Sequence, residues 1–194
     1  MSKTILALEW SSNRLSIAWQ YEGTQSEEVL ELKRFQAELV LPLLEKVVNT
    51  ADGLSEIRIG RGPGNYSGIR QALAWSFGYS APGEVKVKAY SSGVAQAERL
   101  SKTVDSPFAV LGDARRGVWW GRVFGLGESE WRMQSPEAWG KELATLPVYS
   151  QEASRLEQAP FDVLTDYPTA VDLLNLPDEF PIEETVPLYL HPAV

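Results

Sequence analysis

The feature that bears hardest on this 194-residue chain is a change of hydrophobic period near residue 35. Before it, Ile5, Ala7 and Glu9 alternate with Leu6, Leu8 and Trp10, and after Ser11-Ser12-Asn13 the alternation resumes with Leu15, Ile17 and Trp19. A period of two sends successive side chains to opposite faces of a strand, so residues 4–19 predict a β-hairpin. Glu28–Leu32 predicts a third strand after the polar run Glu22–Glu27. From Phe35 to Asn49 the apolar residues Leu39, Val40, Leu43, Leu44, Val47 and Val48 recur at helical spacing. Leu41 widens that apolar arc beyond one core-facing stripe. Pro42 leaves two alternatives: the helix kinks there, or its regular part begins near it.

Strand and helix signals then alternate. A short strand around Arg58 and Ile59 ends at Gly60, and Gly62-Pro63-Gly64-Asn65-Tyr66-Ser67-Gly68 turns the chain into a helix over 68–79. Val85, Val87 and Ala89 predict another strand, and Ser91 or Ser92 caps a third helix running to Leu100. Three strands, helix, strand, helix, strand, helix is the order of a mixed sheet with helices packed on it, an α/β class. The polar stretch Ser101–Pro107 marks the boundary, dividing the chain into an N-terminal lobe, 1–103, and a C-terminal lobe, 104–194. Phe108–Gly112 and Val118–Phe124 predict strands joined through Asp113-Ala114-Arg115-Arg116-Gly117, with a weaker strand near Trp131–Met133. Beyond Pro136 the signals are faint and repeated prolines keep the elements short.

Composition removes several classes of function. Hydrophobic residues make up 44 % of the chain, enough for a folded core, and no apolar run approaches the roughly 20 residues that cross a bilayer. The expectation is a cytoplasmic protein that engages no membrane. With no cysteine there is no disulfide, thiolate metal site or cysteine nucleophile. A formal charge of −8 opposes tight binding of a polyanion, which depends on Lys and Arg displacing counterions. The acidic residues that gather toward the C-terminus read as a solvated surface.

Two places could carry chemistry. The glycine-rich turn Gly60–Gly68 enters a helix, where unpaired N–H groups and the helix dipole favour an anion. It fits neither the P-loop, since Ile69-Arg70 follows Gly68, nor the dinucleotide fingerprint, and a tight structural turn explains it more simply. Glu9 and Asp113 end strands and could pair on a metal. The plainer reading makes Asp113 a turn residue bonding nearby backbone and Glu9 an edge or interface charge. His191 is the only histidine and no serine sits in a Gly-x-Ser-x-Gly elbow. Trp119 and Trp120 alternate along a strand, so at least one packs inward.

The segment Gly62-Pro63-Gly64-Asn65-Tyr66-Ser67-Gly68-Ile69-Arg70 resembles the Gly-Pro-Gly-Ser-Phe-Thr-Gly-Leu-Arg signature of the TsaB (YeaZ) family. Ile5–Trp19 is similar to the family's opening hairpin, Leu41-Pro42-Leu43-Leu44 to its first helix, and Ser91-Ser92 falls where its third helix starts. Asp113-Ala114-Arg115-Arg116-Gly117 resembles its second-lobe turn, and Pro187-Leu188-Tyr189-Leu190 its C-terminal Pro-Leu-Tyr-Leu. The resemblance departs at Glu9-Trp10, where the family has Asp-Thr, at Phe35-Gln36, where no histidine precedes the first helix, and in a short second lobe.

The resemblance implies an actin-like ATPase fold of two ribonuclease H-like lobes. It also implies a non-catalytic subunit of the machinery that places threonylcarbamoyl on the tRNA adenosine beside the anticodon. Its partners would be a TsaD-type catalytic subunit and a TsaE-type ATPase, with tRNA engaged only indirectly and no cofactor or metal of its own. Docking would use the first-lobe helices through Leu39, Leu43, Lys46, Val47, Arg70, Leu73, Ala74 and Phe77. An anion or nucleotide would meet Glu9, Gly62, Gly64, Ser67, Gly68 and Asp113. Two other readings stand beside it: an active ATPase or phosphotransferase using those same residues, and a homodimer through the same helix pair. A weak tRNA contact through Arg58, Arg61, Arg115 and Arg116 also stays open.

Overall fold

A computed structural model describes residues 4–32, 39–50, 53–104, 107–127, 129–156 and 158–190. Phe35, Gln36 and His191 lie outside the described residues. The chain forms β1 (Thr4–Glu9), β2 (Arg14–Tyr21), β3 (Thr24–Glu31), α1 (Val40–Thr50), β4 (Leu54–Gly60), α2 (Tyr66–Ser80), β5 (Lys86–Tyr90) and α3 (Ser92–Leu100). It continues with β6 (Phe108–Asp113), β7 (Trp119–Phe124), β8 (Arg132–Gln134), α4 (Pro136–Leu143), β9 (Val148–Ser150), β10 (Val163–Thr165) and α5 (Ala170–Leu174).

Two five-stranded mixed sheets result, ordered β3-β2-β1-β4-β5 and β10-β9-β6-β7-β8. In each, the first three strands in chain order run antiparallel and the next two add in parallel, so the second sheet repeats the connectivity of the first. β3 begins earlier than its apolar residues predict. Glu22 and Gly23, at φ 48° and 80°, make a two-residue hairpin turn that pairs Tyr21 with Thr24. The polar run therefore belongs to an exposed edge strand, where charge is tolerated and blunts pairing with other chains. Pro42 sits in the first turn of α1, where its missing N–H has no helical partner, which decides between the two alternatives.

The chain divides into two compact units: the residues up to Ala95 with Pro168–Leu188, and Gln96–Tyr167 with the residues from Tyr189. This differs from a sequential split at 103/104, because residues 168–188 leave the second sheet's stretch of chain and rejoin the first. The reason is burial. Leu6, Leu8, Trp10, Leu15, Ile17, Ile57 and Ile59 cover one face of the first sheet and pack under α1 and α2. Ala7 and Ala18 lie on the other face with Tyr90, where their small side chains admit α5 through Ala170, Leu173 and Leu174.

Arg58 ties that return down. Buried to 2 % exposure, it donates to the carbonyls of Leu173, Leu174 and Leu176 at 3.2, 3.3 and 2.9 Å. It pairs with Glu56 and Asp178, each at 2.8 Å. A cation at a helix C-terminus satisfies carbonyls that lack helical partners and complements the dipole. Burial alone would raise Glu56, yet Lys88 and Arg58 beside it hold its carboxyl below the usual value. Arg61 adds a second clasp, donating to Val186 O and to Glu183, both at 2.8 Å. At the start of α5 the Ala170 N–H donates to Ser16 Oγ at 2.7 Å, and Thr169 with Asp172 forms a capping box.

In the second unit both sheet faces are also covered, which is why Trp119 and Trp120 are both buried on opposite sides. Trp139 of α4 fills the Trp119 side and donates Nε1–H to Trp119 O at 3.1 Å. Ala97 and Leu100, late in α3, pack with Trp120, Phe108 and Val110 on the other.

Replacing Arg58 by Ala strands buried carbonyls and removes both ion pairs, and should lower unfolding free energy by about 3 kcal/mol. Denaturant unfolding measures the loss. Limited proteolysis should then cut within residues 168–188 of the variant before any site in the wild type.

Candidate functional site

α1 and α2 lie side by side on the first sheet, and their inner and outer sides differ in a way the apolar pattern alone does not reveal. Val40, Leu44 and Val47 of α1, and Ile69, Ala72 and Leu73 of α2, point into the core. Val47 at 2 % and Leu73 at 5 % exposure are thus core residues, which corrects their assignment to a docking face. Leu43 is half-buried. Leu39, Lys46, Arg70, Ala74 and Phe77 are exposed. Sequence reasoning missed Leu41, Tyr66 and Tyr79, which join Leu39 and Phe77 as large apolar side chains 37–52 % exposed. Helical spacing could have found Tyr66, since 66, 70, 74 and 77 form one stripe.

Between the helices opens a cavity of about 210 Å³. Its floor is Leu8, Trp10 and Leu15 of the sheet side; Val40, Leu41 and Leu44 form one wall and Gln71, Ala72, Ala74 and Trp75 the other. Trp75 stacks on Tyr79 with centroids 5.2 Å apart, and the Arg70 guanidinium lies 5.1 Å above the Tyr66 ring. Lys46 reaches Glu28 of β3 at 3.0 Å. The arrangement is an apolar recess rimmed by aromatic rings and a few charges, suited to receiving side chains of another helix.

The glycine turn meets the sheet beside this face. Arg61 N–H donates to Tyr90 O, Gly62 N–H to Ser92 Oγ at 3.0 Å, and Asn65 N–H to Ser11 O at 2.5 Å. These three donors are engaged inside the unit, which favours the structural reading for the first half of the turn. Gly62 and Gly64 hold φ of 98° and 147°, and the Gly62–Pro63 peptide is cis. Gly68 is glycine because of Trp10: a Cβ there would lie 2.4 Å from the Trp10 carbonyl oxygen. Ser67 is exposed in the first turn of α2.

Glu9 is not an edge charge. It is 1 % exposed, and burial pushes its carboxyl up to about 7 although the Ser11 N–H bond and the nearby Ser11 and Ser92 hydroxyls favour the charged form. Asp113 belongs to the second unit and behaves as a turn residue, its Oδ1 accepting Arg115 N–H at 2.8 Å. Its own N–H donates to Glu152, a carboxyl raised by burial and paired with Arg155 at 2.7 Å. Among the described residues no group of three or more His, Asp or Glu gathers where it could hold a metal. Arg58 and Arg61 are buried and engaged, so they cannot meet tRNA; Arg115 and Arg116 are exposed. No described helix is long and apolar enough to cross a membrane.

No family model matches the chain. It is 31 % identical over 125 residues to the tRNA threonylcarbamoyladenosine biosynthesis protein TsaB of Bacillus subtilis, covering 59 % of this chain and 52 % of that protein. It is 27 % identical over 99 residues to TsaB of Haemophilus influenzae, covering 49 % and 42 %. The matched stretches thus span about half the length of these relatives. Two Pseudomonas aeruginosa structures, YeaZ and a protein described as similar to the peptidase YeaZ, share the fold at TM-scores of 0.72 and 0.75. Each covers 97 % of this chain and all of the solved one, at 23 % and 24 % identity. Over more than half its length the chain is thus similar in sequence to a TsaB protein, and over nearly all of it the chain shares the fold of the YeaZ structures.

Proposed function

We propose that the chain is a non-catalytic subunit in tRNA N6-threonylcarbamoyladenosine formation, docking a TsaD-type catalytic partner on the outer face of α1 and α2, with a TsaE-type ATPase joining the pair. The observation that carries the reading is the set of exposed Leu39, Leu41, Tyr66, Phe77 and Tyr79 around the apolar recess. Contiguous apolar surface of this kind is costly to leave in water and marks interaction sites. The names of the relatives support the pathway, and the exposed apolar side chains on the outer sides of α1 and α2 support the choice of face. tRNA would be engaged mainly through the partner, consistent with the charge of −8.

Catalysis by the chain itself has less behind it. Glu9 is buried with its carboxyl raised to about 7, the Arg61, Gly62 and Asn65 N–H groups of the glycine turn are engaged within the unit, and Asp113 is tied to its own turn. A homodimer through the same face is the second reading, favoured by the same exposed side chains when no partner covers them.

Leu41→Asp combined with Phe77→Asp should weaken the complex with a TsaD-type partner by about 30-fold or more, the equivalent of roughly 2 kcal/mol for apolar anchors. Titration calorimetry reads this, and an intact complex with a folded double variant would sink the assignment of the face. Leu73→Asp is the contrasting case: it should destabilise the chain itself, seen as a lowered unfolding midpoint without partner. Light scattering of the wild type alone should show a dimer that the Leu41/Phe77 double variant dissociates if the second reading holds. The isolated chain should hydrolyse ATP no faster than buffer; turnover lost in Glu9→Gln would overturn the non-catalytic reading.

A further inference from the structure

Glu9 is a carboxyl for which the docking face has no direct use. It ends β1 inside the first unit, with Oε1 accepting the Ser11 N–H at 2.7 Å. Oε2 is buried and has no hydrogen-bond partner of normal geometry, although the nearby Ser92 hydroxyl favours the charged form. A Cβ on Gly60 would stand 1.8 Å from Oε2 and 2.6 Å from Ser92 Oγ, so the carboxyl rests on the bare Cα of β4. Four elements face it: Ser11 of the β1–β2 turn, Gly60 of β4, Ser92 at the start of α3 and Asp172 on α5. Asp172 is the charged group among them, and its sign opposes ionisation of Glu9.

The contacts continue from there to α2. Ser11 gives its N–H to Glu9 and its carbonyl to Asn65 N–H, and Asn65 immediately precedes α2. Ser92 faces Glu9 and accepts the Gly62 N–H. Both ends of the Gly62–Asn65 turn therefore hang on residues that touch one carboxyl.

We propose that Glu9 is a proton-operated latch: protonated, it seals β1 against the glycine turn and the start of α3, and ionised, it loosens that turn and the first turn of α2. Because α2 carries part of the proposed docking face, a consequence for partner binding rests on that reading; the latch itself does not.

Burial raises this carboxyl from 4.5 to about 7, which sets the pH window. Between those values the unfolded chain gives up the proton while the folded chain keeps it. The unfolded state then binds fewer protons, so Glu9's contribution to stability falls as pH rises through the window and levels off above it. Inside the folded chain the latch opens as pH passes the upper value.

Hydrogen exchange on the full chain alone, at pH 6 and pH 8 with intrinsic rates corrected, tests the latch. In the wild type, protection of the Gly62–Ile69 amides should fall by about tenfold at pH 8, where the ionised form outnumbers the acid by that ratio. In Glu9→Gln, which cannot ionise, it should be the same at both pH values. Equal losses in the two proteins overturn the proposal. Should Glu9→Gln fail to fold, a carbon-13 titration of the wild-type Glu9 carboxyl decides: a midpoint near 7 supports the latch, and one near 4.5 ends it. No partner is present in either measurement, so failure here is separable from failure of the docking face.

Discussion

The first unit depends on one guanidinium meeting the end of one short helix. A sheet with apolar residues on both faces needs cover on both, and α1 and α2 cover only one side. The other side is closed by α5, a five-residue helix too short to hold itself together in water. Arg58 supplies what that helix lacks, donating to its last two carbonyls and to that of Leu176 just beyond, while Ser16 and the Thr169–Asp172 box secure its start. The buried charge is tolerable because each guanidinium nitrogen donates to a carbonyl or a carboxylate.

With the far face closed, the outer sides of α1 and α2 still expose Leu39, Leu41, Tyr66, Phe77 and Tyr79. The division between inner and outer residues is sharp along α2: Ile69, Ala72 and Leu73 are core, while Tyr66, Arg70, Ala74 and Phe77 look outward. A helix that needed only to cover the sheet could carry polar residues there. The recess floored by Trp10 lies where such a helix pair would receive an anchor side chain.

The strand end beside that recess is a place of dense packing, not of open chemistry. Gly60 admits the Glu9 carboxyl and Gly68 admits Trp10, each by lacking a Cβ. The glycines of this turn thus serve to bring β1, β4, α2 and α3 together. Burying a carboxyl with one oxygen unpartnered costs free energy as an ion and far less as an acid, which links proton occupancy to the state of the turn.

The order of the first-unit elements was legible from period alone: alternation over residues 4–19, helical spacing over 39–48 and the glycine turn leading to α2 all stand where expected. The Trp119/Trp120 strand and the Asp113 turn were legible for the same reason, since they rest on local geometry. The capping box at Thr169–Asp172 was a readable sign of α5 that short length concealed. What local pattern could not supply was which unit residues 168–188 join, because that follows from Arg58, 115 residues before Leu173 in the chain. Nor could it show that Val47 and Leu73 face inward, or that Glu9 is buried. Sequence spacing determines which side chains share a face, but which face is covered depends on contacts between segments far apart in the chain.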